Sequence, residues 1–142
     1  FETTDDPSTT RNLWGREIYP QCMYNTLMEI KETYGDIPVY ITENGHGQYE
    51  QPDENGYVDD QARIDMMQGY IDYMYKAMEA GCNVKGYYAW SPMDLYSWVN
   101  GYEKRYGLIR VDFDDPNLKR IPKKSYTWFK DVIEDYQINK AK

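Results

Sequence analysis

Two hydrophobic periods alternate along this chain. Residues 1–19 hold neither period; they are polar, rich in Thr, Asp and Pro, and read as a loop. From Pro20 onward Met23, Leu27 and Ile30 recur every three or four positions, which predicts a helix over 20–34 closed by Tyr34-Gly35-Asp36. A second stripe, Ile64, Met67, Ile71 and Met74, predicts a helix over 60–80, capped by Asp59 or Asp60 and ended by Gly81. A third helix is expected from Pro122 to Tyr136, with Tyr126, Phe129, Val132 and Ile133 facing inward. Two short runs without helical spacing lie between these helices. They are V-Y-I-T-E within 38–43 and V-K-G-Y-Y-A-W over 84–90, and both read as strands, the first of them buried. Residues 46–58 and 91–106 are polar or Gly-containing loops, 108–113 is a short extended segment, and no internal repeat is present.

The resulting order of helix, strand, helix, strand, helix is that of βα units with parallel strands. Two parallel strands cannot cover both of their faces by themselves, so further packing partners are expected.

Composition narrows the function. A formal net charge of −8 argues against nucleic acid as a partner, which calls for a basic face. No apolar run reaches the roughly 18 residues of a membrane span. Cys22 and Cys82 lack C-x-x-C spacing and fit a reducing compartment better than a disulfide scaffold. The single histidine, His46, cannot build a zinc site alone and reads as a loop residue. The 16 tyrosines and 4 tryptophans suit either sugar binding or an aromatic core.

The first strand ends on a carboxylate, Glu43, followed at once by Asn44-Gly45. The second ends on Trp90, and the stretch from Trp90 reads W-S-P-M-D-L-Y-S-W-V-N-G-Y-E-K-R-Y-G-L. The run I-T-E-N-G resembles the nucleophile motif of family 1 glycoside hydrolases. The longer stretch resembles that family's W-S-x-x-D-x-x-x-W-x-x-G-Y-x-x-R-[FY]-G-L. The resemblance extends from about Trp14 to Lys130 and corresponds to the last portion of the family's domain.

The resemblance implies an α/β chain forming the C-terminal two βα units of a (β/α)8 barrel, with residues 1–142 as one portion of a single domain. A complete barrel needs about 250 residues. The chain is also expected to be a fragment because it begins at Phe1, with the N-terminal remainder of the barrel as its partner. Strand C-termini are where such barrels carry their chemistry. Glu43 is then the implied nucleophile of a retaining mechanism, which uses two carboxyl groups about 5–5.5 Å apart. The family's acid sits in an N-E-P motif, and no such tripeptide occurs here; Glu2, Glu17, Glu29, Glu50 and Glu54 lack that context. As isolated, the chain is therefore expected to be inactive. Trp90 is the implied stacking platform for a sugar ring. Asp94 and Asn100 are expected to organise the loop through backbone hydrogen bonds.

The loop after Trp90 departs from the family's usual N-F-E-W, whose glutamate binds sugar hydroxyls. The sequence here is L-Y-S-W, which puts Ser97 at the glutamate position. Lys104 and Tyr106 follow, and S-W-x-x-G-Y-x-K-x-Y is similar to the phosphate-binding loop of 6-phospho-β-glycosidases. A carboxylate would repel a phosphate, whereas Ser, Lys and Tyr supply donors and a positive charge. In those enzymes a Trp beside the serine goes with accepting galactose, whose O4 is axial, so the resemblance implies that Trp98 leans toward galactosides or toward dual specificity. The implied substrates are phosphorylated disaccharides or aryl glycosides, handled in the cytoplasm without metal or organic cofactor. The alternatives are an ordinary β-glucosidase acting on plain sugars, Lys104 then being a solvated loop residue, and a non-catalytic fragment or carbohydrate-binding remnant.

Overall fold

The computed structural model describes Pro7 and residues 9–140, with side chains described through Tyr136. The elements in chain order are β1 (Thr10–Arg11), β2 (Glu17–Ile18), α1 (Gln21–Tyr34), β3 (Val39–Asn44), α2 (Gln61–Glu79), β4 (Val84–Ala89), β5 (Ile109–Val111), β6 (Arg120–Pro122) and α3 (Lys124–Lys140). Among the described residues, two-stranded sheets pair β1 with β2, β3 with β4 and β5 with β6. The chain divides into two compact units, Phe1–Val39 with Gln68–Lys85, and Tyr40–Met67 with Gly86–Lys142. β3, β4 and α2 each begin in one unit and end in the other.

In the first unit, residues expected to be loop form the β1–β2 hairpin, in which Thr10 faces Ile18 and Arg11 faces Glu17. Its turn is held by the Asn12 carboxamide, whose Oδ1 accepts the backbone N–H groups of Trp14 and Arg16, each at 3.0 Å. The apolar stripes of α1 and α2 give this unit its core of Leu27, Ile71, Met74 and Ala77, together with Cys82 and Val84. The helix ends follow the glycines, with Gly35 at φ +78° and Gly81 at φ +87°, a region open to glycine at little steric cost. Cys22 and Cys82 are free thiols, one exposed and the other buried.

In the second unit, β5 and β6 pair antiparallel with Arg110 opposite Ile121. Val58, Ile64, Met66, Met67, Leu108 and Val111 are its buried apolar residues. Asp60 precedes α2, as expected of a cap, but its side chain points elsewhere. Its carboxylate accepts the N–H (2.8 Å) and the hydroxyl (2.6 Å) of Ser125, in the first turn of α3. The charge thus serves the N-terminus of a helix 65 residues away in sequence.

β3 and β4 run in the same direction: Val39 N–H bonds the Asn83 carbonyl (2.9 Å) at one end and Trp90 N–H bonds the Asn44 carbonyl (2.8 Å) at the other. The expectation that β3 is buried fails on one face. Tyr40 is 55 % exposed and Tyr88 of β4 57 %, because this face of the two-stranded ribbon carries no covering layer, whereas Val84 of β4 is buried. Tyr126 and Ile133 of α3, expected to face inward, are likewise exposed. Among the described residues no helix is long and apolar enough to cross a membrane.

Candidate active site

Glu43 is the penultimate residue of β3 and is exposed. Trp90 follows β4 directly, and its backbone bond to Asn44 ties the two strand ends together. The Tyr87 hydroxyl donates to Asn44 Oδ1 at 2.8 Å, so the residue after Glu43 is held by both its backbone and its side chain. Gly45 is required by close approach: a Cβ there would lie 1.9 Å from the Trp90 carbonyl oxygen. Trp90 itself is 40 % exposed, and the Trp90–Ser91 peptide is cis.

The loop after Trp90 folds back on itself. Ser97 and Gly101 exchange two backbone hydrogen bonds of 2.8 Å, which closes a tight turn over 97–101. Ser97 Oγ accepts the Asn100 N–H at 3.3 Å, and Asn100 Oδ1 lies 3.5 Å from the Tyr106 hydroxyl. Lys104 and Tyr106 converge over Gly47, where a Cβ would fall 2.8 Å from Lys104 Cβ and 3.0 Å from Tyr106 Cζ. The fold therefore brings Lys104 and Tyr106 together over Gly47 and links Ser97 to Tyr106 through Asn100. Lys104 is only 9 % exposed, which does not match a solvated loop lysine. Trp98 is not gathered in; it is 96 % exposed at the turn.

Beneath this loop lies an ionic cluster that the sequence reasoning missed. Arg63, at the start of α2, directs all five guanidinium N–H groups to acceptors. Nε donates to Asp60 Oδ2 (2.7 Å). Nη1 donates to the carbonyls of His46 (2.9 Å) and Tyr106 (3.0 Å). Nη2 donates to Glu50 Oε1 (2.6 Å) and the Arg105 carbonyl (2.9 Å). Lys123 Nζ donates to Glu50 Oε1 (2.6 Å) and Asp94 Oδ1 (2.9 Å). Asp94 also accepts the N–H groups of Gly107 (3.0 Å) and Val111 (3.3 Å), and its Oδ2 lies 3.6 Å from Arg105. Arg63 and Lys123 are each 1 % exposed. Charges so deeply buried persist only when paired and hydrogen-bonded. Burial pushes the Glu50 carboxyl up from its ordinary range, and Lys123 and Arg63 oppose that shift. Burial likewise lowers Lys123, against the pull of Glu50 and Asp94.

His46 sits beside this cluster. Its Nε2 is 3.0 Å from the Gln48 amide nitrogen, while its buried Nδ1 has no partner. Burial, reinforced by the Arg63 charge, lowers its pKa to about 4. The neutral ring is thus favoured in the folded chain, and the unfolded chain binds a proton that the folded chain refuses between pH 6.5 and about 4. Stability from this ring is full above pH 6.5 and drains away as pH falls through that window. His46→Gln is expected to flatten this part of the urea-midpoint profile. Glu50 contributes with the opposite sign in both proteins, so the difference between the profiles reports the ring. Identical profiles would contradict a desolvated His46.

Among the described residues no group of three or more His, Cys, Asp and Glu side chains is arranged to hold a metal ion. The described geometry is a carboxylate and an indole carried at the joined ends of β3 and β4, followed by a loop in which Lys104 and Tyr106 pack over Gly47.

The model for glycosyl hydrolase family 1 matches residues 1–138, and the chain belongs to that family. It is similar to a 6-phospho-beta-galactosidase of Staphylococcus haemolyticus, 44% identical over 135 residues, which are 94% of this chain and 28% of that protein. A 6-phospho-beta-galactosidase of Streptococcus mutans is 48% identical over 122 residues, 85% of this chain and 25% of the relative. Among solved structures, a family 1 b-glucosidase from Thermotoga maritima superposes with a TM-score of 0.85 at 38% identity, over 92% of this chain and 29% of that one. The chain thus spans little more than a quarter of the relatives it matches.

Proposed function

We propose that residues 1–142 supply the C-terminal two βα units of a (β/α)8 barrel, and that the whole protein is a retaining 6-phospho-β-glycosidase of the cytoplasm. Glu43 attacks the anomeric carbon as the aglycone leaves with a proton from an acid outside this chain. Water then displaces Glu43 from the resulting glycosyl ester, and the configuration is retained. Two carboxyl groups suffice for this chemistry, and the mechanism uses no cofactor. Trp90 stacks on the sugar, and Ser97, Lys104 and Tyr106 hold its 6-phosphate. Without the second carboxyl group, the chain alone has no turnover.

The observation that carries the substrate class is the gathering of Lys104 and Tyr106 over Gly47, with Ser97 linked to Tyr106 through Asn100. The names of the 6-phospho-beta-galactosidase relatives support the same class, and with Trp98 they favour a galactoside. The likeness to a Thermotoga maritima b-glucosidase favours the second reading, an enzyme for plain β-glucosides.

The ratio of kcat/KM for 6-phospho and plain nitrophenyl glycosides, in a complete barrel carrying this segment, separates the two. A charge-assisted contact is worth about 1.5–3 kcal/mol, so Lys104→Ala should lower the ratio roughly ten- to a hundredfold. Ser97→Glu should lower it further, by repelling phosphate while offering plain sugars an acceptor. A parent that prefers the plain substrate, or a ratio indifferent to Lys104, would leave the β-glucosidase reading in its place.

A further inference from the structure

We infer that Arg63 is a positioning residue that sets where the phosphate-binding loop stands relative to the end of β3; this rests on the 6-phosphate reading above. The geometry is specific. The guanidinium donates to the carbonyls of Arg105 and Tyr106, the two residues that directly follow Lys104. The same Nη1 that holds Tyr106 also holds the carbonyl of His46, three residues after Glu43. One rigid, planar group therefore spans the loop that follows the nucleophile and the loop that carries Lys104 and Tyr106. Gln48 and Arg105 reinforce the junction with a reciprocal pair of 2.9 Å backbone bonds.

The guanidinium is itself fixed from behind. Asp60 orients Nε and is locked by Ser125, while Glu50 orients Nη2 and is shared with Lys123. Lysine cannot replace this arrangement. It offers three donors from a single point, whereas five acceptors here surround a plane. A loop of this length has many conformations of similar energy, and the carbonyl clamp selects among them. Glu43 depends less on the clamp, because the strand pairing and the bonds to Asn44 hold β3 separately. Loosening Arg63 should therefore weaken phosphate recognition more than it weakens attack.

The test is made in a complete barrel carrying this segment, with 6-phospho and plain nitrophenyl β-galactosides as probes. Arg63→Lys is expected to lower the phospho-to-plain ratio of kcat/KM by roughly tenfold, mainly by raising KM for the phosphorylated substrate. Asp60→Asn, a milder change that keeps one acceptor for Ser125, should shift the ratio in the same direction by a smaller factor. It carries the test alone if Arg63→Lys does not fold. A purely structural role would reduce the active fraction, lower kcat for both substrates alike and leave the ratio at its parental value in both variants; that result overturns the inference. Lys104→Ala is the control that separates the two failures. If it shifts the ratio while Arg63→Lys and Asp60→Asn do not, only the positioning role of Arg63 is wrong. If it too leaves the ratio unchanged, there is no phosphate site for Arg63 to position.

Discussion

Replacing Glu43 by Gln is expected to lower turnover of a complete barrel by several orders of magnitude. The amide keeps the size of the side chain and the end of β3 intact, but it has no anionic oxygen to form the glycosyl ester. The neighbours argue that the loss is chemical. Asn44 remains pinned by Trp90 and Tyr87, and the amide matches the carboxylate in size, so the end of β3 is expected to keep its place. The stability of Glu43→Gln should match the parent in urea, while kcat collapses for phosphorylated and plain substrates alike. A variant with a tenth or more of parental turnover would remove Glu43 from the mechanism.

The largest expected effect on stability is at Lys123. Its ammonium lies between Glu50 and Asp94, all three almost wholly buried. Lys123→Met keeps most of the side-chain volume and removes the charge. Among the described residues, Glu50 would then keep Arg63 as its one cationic partner, and Asp94 would keep the Gly107 and Val111 N–H groups with Arg105, at 3.6 Å, as its one nearby cation. Stranding buried carboxylates in this way costs about 3–5 kcal/mol, read as a lower urea midpoint. The double variant Lys123→Met, Glu50→Gln should recover part of that loss, since one unpaired charge leaves with its partner. A midpoint shift worth less than about 1 kcal/mol for the single variant would mean that water reaches the cluster, as at exposed ion pairs.

How much of this was legible in the sequence depends on how local each signal is. The stripe Ile64, Met67, Ile71, Met74 predicted a helix, and all four residues are buried in α2. Glu43 and Trp90 were found at strand ends because β-branched and aromatic runs stop there. The two-residue strands β1 and β2 and the three-residue β6 are too short for any period to register. The apolar character of β3 suggested burial that one of its faces does not have within this chain. Such composition reflects the packing a strand is suited to, and neighbouring layers must be present to provide it. Arg63 did leave a trace, since it falls four residues before Met67 on the buried stripe, where a charge calls for a partner. Lys123 left none. Its acceptors, Glu50 and Asp94, are 73 and 29 residues away, and no local pattern encodes such a meeting. Asp60 shows a subtler failure: its place before α2 was legible, but the helix it serves was not.

Covalent trapping reaches the core of the account in a single experiment. A complete barrel carrying this segment is treated in parallel with 2-deoxy-2-fluoro β-galactosides that do and do not bear a 6-phosphate. The labelling rates are compared and the modified peptide is identified by mass spectrometry. The sugar is expected on the peptide containing Glu43, with the 6-phospho reagent labelling faster. Label on any other carboxylate, or faster labelling by the plain reagent, would contradict this expectation.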